Sequence, residues 1–376
     1  MRILIVALDF PPTVGGIQEW TYRVALDLAT RHEVVVVAPR MPGDDAFDRA
    51  VPFRVVRYTA PPSRPLALLA LGLVLQRVIR RERVAVVFYA HIFAAVAAPV
   101  LHRLTGVPFV VSVYGKELQA RGLQRFMPRI SREASAWTAI STYTADQLAE
   151  KGVAPSAISL VGVGVSETML ATPSHDGAGR WLSGRPGPVI LTVSRLDERY
   201  KGHDMLLAAL PLVAARVPDV TLVVAGDGAL RPYYAALAEA LGVGDRVVFT
   251  GRVTDEERLS LYDRCTLFAL LSRAEANGNA EGFGIVFLEA AARGKPSVGG
   301  RSGGIPDAVV DGETGLLVDP TSLLDIVEAI VTLLEDSARA YRLGEKAKER
   351  AASTYTWAHV AARVEVALCA AADSAR

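Results

Sequence analysis

Asn277-Gly278-Asn279-Ala280-Glu281-Gly282-Phe283-Gly284-Ile285-Val286-Phe287-Leu288-Glu289-Ala290-Ala291 sets two glutamates eight residues apart, with a glycine-rich turn that runs into an apolar helical pattern. Glycines at 282 and 284 let the backbone approach a ligand with no Cβ in the way. The N–H groups of Phe283, Gly284 and Ile285 then fall unpaired at a helix N-terminus, where the macrodipole favours an anion. Glu281 lies just before that anion pocket, and Glu289 lies within the helix behind it. A diphosphate flanked by two carboxylates that accept hydroxyl protons has the shape of a sugar nucleotide. The bland alternative is a solvated acidic helix start followed by a core helix, and the flanking segments must decide.

Outward from this stretch, short β-branched runs alternate with longer helical patterns, the signature of parallel sheets covered on both faces. In the first half, strands are expected over 3–8, 33–38, 84–89, 109–113, 137–140 and 158–161, with helices near 18–30, 66–81, 93–104, 123–134 and 141–151. In the second half, strands are expected over 189–194, 221–225, 247–250, 267–270 and 297–299, with helices near 205–215, 233–241, 255–263, 286–292 and 325–335. The densest Gly/Pro/Ser clusters place a linker at 173–188, between domains over 1–172 and 189–355, and a last helix falls within 356–376. A chain of 376 residues suits two domains.

Composition narrows the function classes. A hydrophobic content of 51% with 22% charged residues is that of a globular chain. The two cysteines, Cys265 and Cys369, lie far apart and support neither a disulfide framework nor a metal site, which fits a reducing cytoplasm. The opening apolar run ends at Asp9 and Pro11-Pro12, so it reads as a buried strand rather than a signal peptide. The greasy run 66–75 falls well short of the roughly 20 residues that span a bilayer. Neither half has a P-loop, and the first strand is not followed by Gly-x-Gly-x-x-Gly, which disfavours a nicotinamide-dependent dehydrogenase.

Charge is uneven. The formal net charge is +1, yet 51–132 holds thirteen basic residues against two acidic ones, an excess of +11. Arg77, Arg80, Arg81 and Arg83 close the greasy run, while Arg121, Arg125, Arg129 and Arg132 have the spacing of one helical face, with Leu123 and Phe126 beside them. Such a stripe suits an anionic membrane surface or a lipid-phosphate acceptor. Nucleic acid is disfavoured, because no aromatics interleave with the arginines and no binding motif appears.

The paired-glutamate stretch resembles that of the retaining glycosyltransferases of family 4, and further matches stand in the family's order. They are Gly15-Gly16-Ile17-Gln18, Ser194-Arg195-Leu196, Lys201-Gly202-His203-Asp204, Gly226-Asp227-Gly228, Gly251-Arg252-Val253, Gly303-Gly304-Ile305-Pro306-Asp307 and Gly312-Glu313-Thr314-Gly315-Leu316-Leu317-Val318. The resemblance covers nearly the whole chain, is most specific over 189–320 and weakest over 46–159, and leans toward mannosyltransferases such as the phosphatidylinositol mannosyltransferases. It implies an α/β chain with the GT-B fold: two Rossmann-like doubly wound domains facing across a cleft, with the last helix crossing back to the first domain.

The resemblance also implies chemistry: retaining transfer of a sugar, with mannose from GDP-mannose as the leading donor, to a hydroxyl acceptor that is lipid-linked. No cofactor and no metal are expected, so protein cations must neutralise the leaving diphosphate. Arg195 and Lys201 are the candidates, since ligands bind beyond the carboxyl ends of strands in such sheets. Glu281 would face the transferred sugar and Glu289 the ribose hydroxyls. Val253 would offer its backbone to the base, Gly226 and Asp227 would shape that pocket, and Gly15 and Gly16 would approach the diphosphate from the first domain. One departure stands out: where many members have His-Gly-x-Glu, this chain has Tyr114-Gly115-Lys116-Glu117. Tyrosine donates a hydrogen bond but is a poor base at neutral pH. His91, at the end of the preceding strand, is a second, weaker candidate. The expected location is cytoplasmic and peripheral to the membrane. Alternatives are a UDP-sugar-dependent transferase with a soluble acceptor, a sugar-nucleotide epimerase, and a peripheral membrane protein that binds sugar nucleotide or lipid without catalysis.

Overall fold

The computed structural model describes residues 1–13, 15–120, 122–171, 177–276 and 278–374. It divides into two compact units, Met1–Gly164 with Trp357–Arg376, and Val165–Thr356. The first unit is built on β1 (Arg2–Val6), β2 (Glu33–Pro39), β3 (Arg54–Tyr58), β4 (Val86–Tyr89), β5 (Phe109–Val113), β6 (Ala136–Ala139) and β7 (Ile158–Leu160). These strands pair in parallel in the order β3-β2-β1-β4-β5-β6-β7, with Ile3 opposite both Val34 and Val86. Alternate residues of one strand point to opposite faces, so both faces must be covered. Leu4 and Val6 face one core, with Leu71, Leu75 and Ile79 of the helix Arg64–Glu82 and Ile130 of the helix Met127–Glu133. Ile3 and Ile5 face the other, with Trp20 and Val24 of the helix Gly16–Leu28 and Val360, Val364 and Leu368 of the helix Trp357–Asp373. The end of the chain is thus part of the first unit's core.

The second unit carries β8 (Val189–Val193), β9 (Thr221–Ala225), β10 (Val247–Gly251), β11 (Leu267–Leu270), β12 (Ser297–Gly300) and β13 (Gly315–Val318). They form a parallel sheet ordered β10-β9-β8-β11-β12-β13. Its core joins Ile190, Leu222 and Ala269 to Leu206, Leu210 and Val213 of the helix His203–Arg216 and to Ile326 and Ile330 of the helix Leu323–Glu335. In both sheets the strand order reverses between the first and fourth strands, at β1/β4 and at β8/β11, where a crevice opens beyond the carboxyl ends.

Several expectations need correction. The division falls between Gly164 and Val165, ahead of residue 172. The chain is already fastened to the second unit there: the Val165 N–H donates to the Tyr355 carbonyl at 2.7 Å, and Arg293 donates to the carbonyls of Met169 and Ala171. Residues 172–176 of the expected linker lie outside the described residues. Farther along it, the Ala178 N–H donates to Ser260 Oγ at 2.9 Å and Arg180 pairs with Glu257 at 2.7 Å, so this stretch too belongs to the second unit.

The helix expected over 123–134 forms only at Met127–Glu133. Residues 122–126 make turns instead, and Pro128 occupies the helix's first turn, where its missing N–H has no intrahelical partner to lose. Arg129 and Arg132 are on this helix, Arg125 is on the preceding turn, and Arg121 lies outside the described residues. The four arginines therefore do not share one helical face, and Leu123 is a core residue.

The helix Trp357–Asp373 presents Leu368, fully buried, to the first unit. Leu368→Ala should lower stability by about 2–5 kcal/mol through lost burial and a residual cavity. Urea unfolding followed by tryptophan fluorescence measures it, and a change within about 0.5 kcal/mol, the range of ordinary surface substitutions, would mean the helix is dispensable to that core.

Candidate active site

In the second unit the candidate side chains gather at the carboxyl ends of the strands. β8 is followed by Ser194 and Arg195, and Arg195 is exposed, with no ion pair among the described residues. A short turn, Arg199–Lys201, then delivers Lys201 to Glu281: Nζ lies 2.5 Å from Oε2, with the side chains only 14% and 16% exposed. Glu281 is held from behind. The Gly304 N–H donates to its carbonyl at 2.8 Å, and Gly303 packs so closely that an added Cβ would sit 2.4 Å from that oxygen. Gly303 also has φ +58°, so the position is closed to side chains on both counts. Gly284, at φ 88° and ψ 62°, then turns the chain into the helix Ile285–Ala292, whose first N–H groups have no intrahelical acceptor. The ring of Phe283 packs inward, edge-on to Tyr355.

Glu289 is buried on that helix. Its Oε2 accepts from the Tyr262 hydroxyl at 2.8 Å, and its Oε1 lies 3.5 Å from Arg258. Burial pushes its carboxyl above the usual range, and Arg258 pulls it back. Arg258 and Tyr262 stand one helical turn apart on Asp255–Arg264. Sequence reasoning missed both; the only signal was that i, i+4 pair of an arginine and a tyrosine. Gly226 follows β9, and a Cβ there would strike the Ser194 carbonyl at 1.9 Å, so the loops after β8 and β9 lie in contact. The Gly226 N–H bonds the Gly251 carbonyl at 3.0 Å, Asp227 accepts from the Gly228 N–H at 3.0 Å, and Val253 is half-buried just after β10. Buried His203 braces this floor, its Nε2 2.6 Å from Ser194 Oγ.

In the first unit, Gly15 and Gly16 open the helix Gly16–Leu28 beyond β1. A cavity of about 300 Å³ at the β1/β4 reversal is lined by Ala7, Leu8, Asp9, Ile17, Gln18, Thr21, Ala90 and His91. His91 therefore faces a pocket. The hydroxyl of Tyr114 is turned inward, donating to the Ala90 carbonyl at 2.9 Å, and burial pushes it well above its ordinary pKa.

Relatives of this chain are numerous. Residues 14–168 match the family described as Glycosyltransferase Family 4, and residues 180–350 match Glycosyl transferases group 1. The chain is 34% identical to the GDP-mannose-dependent alpha-(1-6)-phosphatidylinositol monomannoside mannosyltransferase of Mycolicibacterium smegmatis, over 96% of this chain and 97% of that protein. This chain belongs to the family 4 glycosyltransferases. It is 30% identical to the GDP-mannose-dependent monoacylated alpha-(1-6)-phosphatidylinositol monomannoside mannosyltransferase of Corynebacterium glutamicum, over 95% of this chain and 94% of that one. In fold it matches Anabaena Alr3699/HepE, solved with UDP and glucose, at a TM-score of 0.78 and 22% identity over 98% of this chain and 99% of that one. It is an α/β glycosyltransferase of the GT-B class.

His203 couples the stability of this glycosyltransferase to pH. Burial first, then Lys201, lowers its pKa to about 4 from the ordinary 6.5, against the pull of Asp204. A histidine held neutral in the fold but free to protonate when unfolded favours unfolding as pH falls. Stability should be fully present above pH about 6.5 and drop by up to roughly 3 kcal/mol toward pH 4. His203→Gln, which keeps an N–H near Ser194 but does not titrate, should lose correspondingly less between pH 7 and 4.5 in urea titrations. Equal losses in the two proteins would show that His203 is protonated within the fold.

Proposed function

We propose that this glycosyltransferase moves mannose from GDP-mannose to a hydroxyl of a phosphatidylinositol-linked mannoside, with retention and without a metal. The observation that supports donor and acceptor is the full-length likeness to relatives that carry both in their names. The geometry suits the chemistry. Arg195 and Lys201 stand at the strand ends where a diphosphate would lie beside the N-terminus of Ile285–Ala292. As the bond from the anomeric carbon to the diphosphate breaks, negative charge grows on the leaving oxygen, and two preorganised cations stabilise it. Glu281, paired with Lys201, would meet the sugar hydroxyls, and Glu289, fixed by Tyr262 and Arg258, the ribose. The acceptor's proton would pass to the leaving diphosphate.

The acceptor class implies peripheral contact with a membrane. Among the described residues no helix is long and apolar enough to cross one. The helix Arg64–Glu82 instead exposes Leu66, Leu69 and Leu73, at 54%, 60% and 60%, along one stripe that continues into exposed Arg77 and Arg80. The neighbouring helix Ala98–Thr105 adds exposed Val100 and Leu104. Apolar residues beside cations on an outer face suit the boundary of an anionic leaflet.

Two outcomes follow. GDP should be released from GDP-mannose in the presence of phosphatidylinositol monomannoside, faster than any nucleotide diphosphate from UDP-sugars and unaffected by chelator. Arg195→Ala and Lys201→Ala should each lower kcat at least about 10²-fold, roughly 2.7 kcal/mol. Activity within threefold of wild type in both, or preference for a UDP-sugar, refutes the proposal. Separately, Arg77, Arg80 and Arg81 changed together to glutamine should abolish salt-sensitive co-sedimentation with phosphatidylinositol vesicles. Wild-type protein that ignores such vesicles at low salt would refute the membrane contact.

A further inference from the structure

The cavity at the β1/β4 reversal holds a ring that the donor chemistry does not use. His91 precedes the turn Ile92–Ala97, and its Nδ1 accepts the Phe93 backbone N–H at 3.3 Å. A neutral imidazole carries one proton, and a nitrogen that accepts a hydrogen bond cannot be the one that bears it. The proton therefore sits on Nε2. Stacking fixes the plane of the ring: Phe93 lies 5.2 Å away at 30° and Tyr114 6.3 Å away at 28°. Burial keeps the ring neutral by lowering its pKa, opposed by Glu117 and Asp9.

Asp9 shares the cavity. One of its carboxylate oxygens accepts from the Thr13 hydroxyl at 2.7 Å and the other from the Gln18 side-chain amide, so its orientation is set while each oxygen keeps a free lone pair. Tyr114 adds nothing polar here, its hydroxyl being spent on Ala90. The cavity thus presents the oriented His91 donor and Asp9 acceptor, beside the polar side chains of Gln18 and Thr21, against the apolar walls of Ala7, Leu8 and Ile17.

We propose that His91 and Asp9 are specificity-determining residues that clasp two neighbouring hydroxyls on a polyhydroxylated ring of the acceptor. The Nε2–H donates to one hydroxyl oxygen, and the Asp9 carboxylate accepts the proton of the next. A polyol satisfies both groups; an alkyl alcohol satisfies only one, which is how a site built to hydrogen-bond hydroxyls discriminates against a ligand that lacks them. His91 acts as a donor and not as a base. The assignment of the ring to the acceptor rests on the function proposed above; the donor–acceptor pair itself does not.

Two measurements test this separately. In full-length protein without substrate, long-range ¹⁵N NMR of the imidazoles, assigned against His91→Phe, should place the His91 proton on Nε2. Titration with myo-inositol or with methyl α-mannoside should then shift that resonance. A proton on Nδ1, or no shift with either polyol, overturns the proposal whatever the enzyme's substrates are. In turnover with GDP-mannose and phosphatidylinositol monomannoside, His91→Phe and Asp9→Asn should each raise the acceptor KM at least tenfold while the GDP-mannose KM stays within twofold. His91→Gln, which returns an N–H to the Nε2 position, should bring the acceptor KM back to within threefold of wild type. An unchanged acceptor KM in His91→Phe, a glutamine variant as impaired as phenylalanine, or a rise in the donor KM instead would each overturn the assignment. Wild type inactive on this substrate pair, with the NMR result as expected, would overturn the proposed substrates and leave the polyol clasp standing.

Discussion

The second unit is organised around the contact between the Lys201 ammonium and the Glu281 carboxylate, 80 residues apart in sequence. Each side chain is mostly out of water, and desolvating an ammonium and a carboxylate costs several kcal/mol, so such a pair is weak grounds for stability by itself. What surrounds it shows how much of the fold serves to hold it. Gly303 and Gly304 clamp the Glu281 backbone, and Arg273 grips Asp204 with two hydrogen bonds, at 3.0 and 2.8 Å, tying the chain after β11 to the helix that follows Lys201. A pair kept at such cost is better explained by what opens it. A diphosphate would compete with Glu281 for the lysine and free the carboxylate for hydroxyl groups, so that charge neutralisation and sugar recognition would be reached together.

The same topological device serves the first unit with different side chains. A parallel sheet forces every β-to-α loop to one edge, and the reversal of strand order sends the loops on either side of it in opposite directions. In the second unit the crevice at that point is edged by cations and helix N–H groups, which suit an anion. In the first it is edged by Asp9, Gln18 and His91, which suit neutral hydroxyls. The large positive excess between 51 and 132 lies elsewhere, on outer faces. Arg77 and Arg80 extend a stripe of exposed leucines, and exposed Arg54 marks the edge strand β3, where charge also discourages pairing with a foreign strand; Arg57 on the same strand is instead turned in and paired with Asp48.

Local pattern made much of this legible and tertiary context hid the rest. The strands Phe109–Val113, Thr221–Ala225 and Leu267–Leu270 match expectation residue for residue, because they are apolar runs buried on both faces. β3, Arg-Val-Val-Arg-Tyr, was missed because an edge strand has charges where a central one has valines. The helix Ser337–Thr354 was missed because its buried stripe is mostly small: Ala340, Gly344, Ala347 and Ala351, with Gly344 against the Gly294 carbonyl. The arginine stripe failed for the opposite reason, since a helical period in sequence does not make a helix when a proline fixes where the helix begins. In the site, the paired glutamates and the glycine motifs could be found from sequence. Arg258 and Tyr262 could not, because their role exists only once their helix lies against Glu289.

Tyr114 shows why a change at one motif residue can redistribute roles. A tyrosine at this position brings a larger ring than histidine, and here that ring packs edge-on to Trp20 at 5.5 Å. A buried phenol needs a partner for its hydroxyl, and the Ala90 carbonyl supplies it. Ala90 adjoins His91, so the bond that satisfies the tyrosine also fixes the backbone next to the histidine, whose ring then stacks on the tyrosine's face. The residue at 114 packs against the core, and the imidazole that lines the pocket, His91, comes from just beyond the neighbouring strand instead. A side chain from the neighbouring strand end can in this way stand beside the same loop without any movement of the sheet, because parallel strands end side by side at the same edge.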